Sequence, residues 1–188
     1  MAALDVSQAN AAQKAEILKL AAEVRKFEIE RFWARSLFFW GFIAAAFVAY
    51  AQLYGKQDND ALSTIACFGL VCSIAWTLAN RGGKYWQEAW EGKVEAVEVA
   101  VIGAKLFSNH EPLKRKGPWG AQLFSVSKLT IALSDFTVLV WVALTVKAAP
   151  SISLDIKDRW FPIVLAVTSA YVALLFTLGR SSPREFES

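Results

Sequence analysis

Residue types that commonly carry chemistry are scarce in this chain of 188 residues, which has one histidine, His110, and two cysteines, Cys67 and Cys72. No Ser/His/Asp set, HExxH motif, CxxC motif or phosphate-binding glycine loop is present. This composition excludes a disulfide framework and most metal sites. We therefore predict a protein without catalytic residues, cofactor or metal, because an enzyme here would depend on carboxylate or lysine chemistry alone.

The most informative polar residue is Asp135, which lies inside a long apolar segment. Hydroxyl residues and one tryptophan recur beside it at helical spacing: Ser127, Thr130, Ser134, Thr137, Trp141 and Thr145. A carboxylate at such a depth costs about 2.5–3.5 kcal/mol on insertion scales, so it should face protein or water. No apolar segment contains a basic residue, which predicts that Asp135 is protonated or lies in water near a membrane boundary.

Two interpretations of this face remain open. It could line a pore, sense ions or carry protons. Alternatively, it could be a polar interface between helices, with Asp135 hydrogen-bonded to Ser or Thr or to Trp76 of the second apolar segment. We favour the interface, because rows of hydroxyl residues commonly join membrane helices.

Four segments are apolar for long enough to cross a bilayer as helices, at about residues 36–54, 61–79, 129–146 and 160–178. Soluble core helices rarely stay apolar on every face for such a length, and the segments lack the alternation of a membrane barrel. The predicted fold is therefore an all-α polytopic membrane protein, with residues 1–188 forming a single membrane domain.

The distribution of Lys and Arg predicts how the chain is oriented. Residues 1–35, 80–128 and 179–188 contain 6, 8 and 2 of them, whereas the connectors 55–60 and 147–159 contain 1 and 3. The positive-inside rule places both termini and the long central loop in the cytoplasm.

Two cytoplasmic helices extend the predicted spans. Residues 8–35 form the first, since Ile17, Leu20, Val24 and Phe27 recur every three or four residues. Residues 80–128 hold the second and a basic loop. We expect a hinge at Gly82-Gly83, because two glycines weaken a helix, followed by an amphipathic helix over about residues 84–107.

The second extension has an apolar face with two tryptophans and an acidic surface around it. An acidic helix would be repelled by anionic lipid, so packing against protein is favoured over the membrane surface. Metal binding by these glutamates is disfavoured, because the only histidine lies in a loop. The candidate partner-binding residues are Trp86, Trp90, Glu88, Glu91, Glu95 and Glu98.

A short basic loop precedes the third span. Its candidate contacts with lipid headgroups are Lys114, Arg115, Lys116 and Trp119. The alternative is that these charges act only as the positive-inside signal. Three charges are too few for specific nucleic-acid recognition, so no direct nucleic-acid partner is expected.

Small residues recur at a spacing of four in the other spans, as at Gly41, Ala45 and Ala49 in the first. Such rows allow close approach of helix backbones. Because a row occurs on every span, we predict a homo-oligomer in the lipid bilayer.

The layout resembles small multi-span bacterial effectors and membrane subunits of antiphage defence systems. The resemblance is carried by the four spans, the YWQEAWE segment after the second span and the minimal outer loops. It implies a protein of the bacterial inner membrane. The predicted function is a non-enzymatic oligomeric membrane protein that senses or anchors a cytoplasmic partner. The alternatives are an ion channel or permeabilising effector that uses the Ser/Thr/Asp face, and a small oligomeric transporter.

Overall fold

The computed structural model describes residues 10–56, 58–103, 124–149 and 159–180. These residues form four α-helices: α1 (Ala11–Leu53), α2 (Asn59–Ile102), α3 (Val126–Ala148) and α4 (Trp160–Leu178). Each helix is long and apolar enough to cross a membrane. No strand occurs in the described segments, and the all-α fold with four spanning helices is confirmed.

The first two helices begin with side-chain caps that the sequence provides. Asn10 and Gln13 cap each other, because the Gln13 amide donates to Asn10 Oδ1 at 2.9 Å and the Asn10 amide donates to Gln13 Oε1 at 3.0 Å. This reciprocal pair is a capping box. Asp58 accepts the Ala61 amide at 3.0 Å and so begins α2. In the connection between α1 and α2, Gly55 adopts a positive φ of 84°, a conformation that favours glycine.

The helix that we expected to begin after a hinge at Gly82-Gly83 is not a separate element. Both glycines lie inside α2, which continues to Ile102 without a break. Glycine lowers helix propensity by about 1 kcal/mol relative to alanine, which neighbouring packing can offset. The extension that we predicted as a separate helix is therefore part of α2, and its predicted last residues lie outside the described segments.

The chain divides into two compact units. We call the part within residues 34–81 and 127–182 the apolar unit, and the part within residues 1–33 and 82–126 the polar unit. In the apolar unit, α2 is the central helix. In the most apolar stretch of 18 residues, 39% of the stretch is buried in α2. The corresponding shares are 22% in α1, 22% in α3 and 6% in α4. The buried core there consists of Ala46, Tyr50, Leu62, Ala66, Trp141 and Ala148.

The fourth helix lies at the edge of the apolar unit. It contacts α2 through the Trp160 indole, whose Nε1 donates to Thr64 Oγ1 at 3.0 Å. Only Thr168 of α4 is buried. Most of its apolar side chains are not covered by the described residues.

In the polar unit, the buried positions differ from the predicted apolar row. Leu20 is 60% exposed and Phe27 is 49% exposed, whereas Ala21 and Phe32 are buried. The helix itself forms as expected, but its buried line is rotated away from Leu20 and Phe27. Ala21 and Phe32 lie on the inward side, so Leu20 and Phe27 are left on the outer side of α1, where the Arg31 guanidinium lies 4.8 Å from the centroid of the Phe27 ring.

Candidate functional site

The hydroxyl face of α3 is turned into the apolar unit. Thr130, Ser134, Trp141 and Thr145 are buried, and Ser134 and Trp141 have no exposed surface at all. Thr137 is half-buried, and Ser127 lies half-buried near the start of the helix. Most of the predicted row is therefore brought together as a packing surface between helices of one chain.

The hydroxyl groups on this face bond to their own helix. Ser134 Oγ donates to the Ile131 carbonyl at 2.7 Å, and Thr145 Oγ1 donates to the Trp141 carbonyl at 2.8 Å. Thr137 makes the same kind of bond to the Leu133 carbonyl, at 2.9 Å. Such bonds satisfy a hydroxyl inside a membrane helix without a second helix or water. In the single chain these three hydroxyl groups are therefore satisfied within α3.

Trp141 occupies a slot that Gly69 leaves open. A Cβ atom built on Gly69 would come within 2.5 Å of three Trp141 ring carbons, so no side chain other than hydrogen fits there. The Trp141 ring also lies 4.5 Å from the Phe47 ring and 6.1 Å from the Tyr50 ring, measured between centroids. This contact joins α1, α2 and α3 at one level of the apolar unit.

Asp135 is held by an arginine from outside the predicted spans, which the sequence analysis did not consider. Arg81 Nη1 and Nη2 donate to Asp135 Oδ1 and Oδ2 at 2.8 and 2.9 Å, a bidentate ion pair. Arg81 lies two residues beyond the predicted second span, and its long side chain reaches back to α3. The suggested Trp76 bond is wrong, because the buried Trp76 Nε1 has no hydrogen-bond partner.

The ion pair is only partly covered by the chain. The side chains of Arg81 and Asp135 are 49% and 41% exposed. Asp135 and Thr77 are the polar members of a recess of about 310 Å³ that is otherwise apolar, lined also by Ile74, Leu78, Val138, Leu139 and Phe176. A half-exposed ion pair in an apolar unit requires water or a neighbouring chain on its open side.

We predict that Arg81 and Asp135 are energetically coupled. A double-mutant cycle with Arg81→Ala and Asp135→Ala, followed by unfolding in mixed micelles, should give a coupling of about 1 kcal/mol, the magnitude expected for a partly exposed pair. The control is the pair of Lys84 and Glu88, four residues apart on one helix and 3.2 Å from each other, for which about 0.3 kcal/mol is expected. Equal coupling in both cycles would contradict a structural role for the bidentate pair.

Two polar residues that the sequence analysis missed also join the helices. Ser36 Oγ donates to Asn80 Oδ1 at 3.2 Å, and both residues are buried. Each lies at the end of a predicted span, where a polar residue is ordinarily taken as the boundary with water. From the sequence alone, both residues would be expected to face solvent. Only the fold, in which α1 packs against α2, shows that Ser36 and Asn80 are buried and bonded to each other.

The candidate partner-binding residues of the polar unit are divided by burial. Trp86 is 47% exposed and Glu98 is fully buried, so Glu98 offers no surface to a partner in the single chain. Glu91 forms a long ion pair with Arg25, with 3.5 Å between Arg25 Nη2 and Glu91 Oε1. Trp90 lies under a cation, with Lys93 Nζ at 4.4 Å from its ring centroid.

The remaining residues of the set extend this division. Glu88 is exposed and Glu95 is half-buried.

The predicted headgroup contacts at Lys114, Arg115, Lys116 and Trp119 lie outside the described residues. Within the described segments, no three His, Cys, Asp or Glu side chains come together as metal ligands would.

Comparison with known proteins identifies the family. No curated protein and no solved structure matches the chain. The model of the octameric membrane protein family (8xMP) matches residues 15–150, which include α2, α3 and nearly all of α1. The chain therefore belongs to the octameric membrane protein family and is an oligomeric integral membrane protein.

Proposed function

We propose that the chain is a non-enzymatic, homo-octameric scaffold of the bacterial inner membrane that senses or anchors a cytoplasmic partner. The observation that carries the proposal is a pair of adjacent aromatic side chains on the polar unit. Tyr85 is 65% exposed and Trp86 is 47% exposed, and their rings contact each other edge to face at 5.6 Å. Exposed Tyr and Trp side chains are the usual anchors of protein interfaces.

The distribution of charge supports a cytoplasmic position for the polar unit. The segments 1–35, 80–128 and 179–188 together hold most of the Lys and Arg residues of the chain, as expected for the inner side of a bacterial membrane. A partner would then meet the polar unit from the cytoplasm. The layout's resemblance to membrane subunits of antiphage defence systems suggests one setting for such a partner.

Affinity capture from gentle detergent tests this proposal. We expect a soluble protein to be recovered with the full-length chain at a fixed ratio, and to be lost when Trp86→Ala removes the exposed indole. Tyr171→Ala is the matched control, because Tyr171 is a similarly exposed aromatic residue on α4 in the apolar unit. Recovery of only the chain itself, in wild type and variants alike, would refute the anchoring role.

An ion channel is the second candidate, and the half-exposed ion pair favours it. Exposed charge in the apolar unit would be stable where it lines water, and a closed ring of subunits encloses a central axis that could hold water. The buried hydroxyl row of α3 would not line such a pore, so the conducting surface would contain Arg81 and Asp135 instead.

Ion flux into liposomes separates the two candidates. A channel lined by the ion pair should change its flux or its ion selectivity in Asp135→Ala, and Ser134→Ala should behave as wild type because the Ser134 hydroxyl bonds its own helix. The absence of flux from wild-type protein in every condition would refute the channel and leave the scaffold.

A further inference from the structure

The polar unit has two outward faces that differ in the size of their residues. The first, the α1 ridge, consists of Leu20 and Phe27, which are large and exposed. The second, the α2 trough, consists of Ala89, Gly92 and Ala96, at a spacing of three and four that places them on one side of the helix. Gly92 and Ala96 are exposed and Ala89 is half-buried, and a Cβ built on Gly92 meets no atom of the described residues within 4 Å.

The contact between Arg25 and Glu91 sets the relative heights of these residues. The two side chains are 3.5 Å apart, and α1 and α2 run in opposite directions. Counting two residues forward on α1 and two backward on α2 therefore puts Phe27 level with Ala89. Counting five residues the other way puts Leu20 level with Ala96. Each large residue of the ridge lies at the height of a small residue of the trough.

Cyclic symmetry relates these heights between copies. A closed ring of more than two identical subunits uses two different surface patches, so one patch of each copy meets the other patch of the next. Rotation about the ring axis preserves the height of every residue along that axis, so helices that run along the axis keep these levels from one copy to the next. A ridge placed against the trough of the next copy would therefore bring Phe27 onto Ala89 and Leu20 onto Ala96.

Charges flank the two faces in a complementary way. Lys19 and Lys26 immediately precede the two ridge residues, and Glu88 and Glu95 immediately precede Ala89 and Ala96. When two antiparallel helices pack together, the residues that immediately precede the contact residues on both helices lie on the same side of the contact. The lysines of one copy would thus face the glutamates of the next. Within the chain, Lys19 and Lys26 make only long pairs to Glu23 and Glu30, at 4.0 and 3.8 Å. Glu88 pairs with Lys84 at 3.2 Å, so Lys26 of the next copy would share this carboxylate with Lys84.

We propose that the α1 ridge of each copy packs into the α2 trough of the next copy, and that this contact joins the polar units into a ring. The occupant of both faces is a second copy of this chain. The proposal rests on the homo-oligomer of the proposed function, and it specifies the contact by which neighbouring subunits recognise each other. Large residues against small ones allow close helix packing, and the flanking charges select the antiparallel register.

Cysteine cross-linking tests the contact in the full-length protein. In a Cys67→Ala/Cys72→Ala background, we expect oxidation to link Leu20→Cys with Ala96→Cys, and Phe27→Cys with Ala89→Cys. Each pair should give a ladder of covalent oligomers up to eight chains. The pair Leu20→Cys with Ala89→Cys is the control, because its members differ in height by seven residues, about 10 Å, which exceeds disulfide reach.

Three outcomes would overturn the proposal. The first is a covalent dimer from Leu20→Cys alone, because it would show two ridges meeting face to face. The second is an equal ladder from the mismatched control. The third is the absence of any ladder while the particle mass remains that of eight chains, which would refute this contact and leave the octamer intact.

A charge reversal provides an independent readout. Lys26→Glu should weaken the oligomer against dilution in detergent by about tenfold, and adding Glu88→Lys should restore it, because the reversed charges attract again. Failure of the second substitution to rescue the first would contradict the predicted register.

Discussion

Replacing Trp141 with alanine should lower the free energy of unfolding of the subunit by about 3–5 kcal/mol, the largest effect of any single substitution proposed for this chain. The side chain is fully buried between α1, α2 and α3, so its removal leaves a cavity that three packed helices cannot readily close. The measurement is unfolding in mixed micelles, followed by circular dichroism.

Two further variants separate packing from other roles of this tryptophan. Trp141→Phe should lose far less stability, because the ring is mostly kept and the buried Nε1 has no hydrogen-bond partner to lose. Trp86→Ala, at an exposed tryptophan of the polar unit, should change the free energy of unfolding by less than about 0.5 kcal/mol. Equal losses in Trp141→Ala and Trp86→Ala would contradict the buried position of Trp141.

Replacing Gly69 with leucine should produce the second largest loss, about 3 kcal/mol or more. Even the first carbon of a side chain would overlap the Trp141 ring, and the ring cannot move because Phe47 and Tyr50 lie against it. Gly69→Ala should already lower the free energy of unfolding, although alanine is the better helix former. The measurement is again unfolding in mixed micelles.

Gly82 provides the matched control on the same helix. A Cβ added there meets nothing within 4 Å, so Gly82→Ala should stabilise α2 by up to about 1 kcal/mol through helix propensity. A stabilising Gly69→Ala would contradict the close contact with Trp141. A destabilising Gly82→Ala would indicate that this position needs the flexibility of a hinge.

The four helices could be predicted because their signal is local. Each apolar segment is about as long as a bilayer requires, and the apolar periodicity within residues 8–35 predicted that a helix extends the first span. Gly82-Gly83 predicted a separate helix where α2 is continuous, because helix propensity is a weak local preference that packing of the neighbouring residues overrides.

The partners of the polar side chains could not be predicted, because they depend on which helices meet. Arg81 lies outside the predicted spans, so a search for a basic residue within the spans missed the ion pair with Asp135. Ser36 and Asn80 each resembled a span boundary, and only the fold pairs them. The hydroxyl row of α3 was found by its spacing, but its inward direction follows from the position of α2.

The particle mass tests the central claim most directly, namely that this chain is a homo-octameric membrane scaffold. Native mass spectrometry of protein released from gentle detergent should give a protein mass of eight times the 20.8 kDa of one chain. A folded, monodisperse particle with the mass of a single chain would contradict the claim.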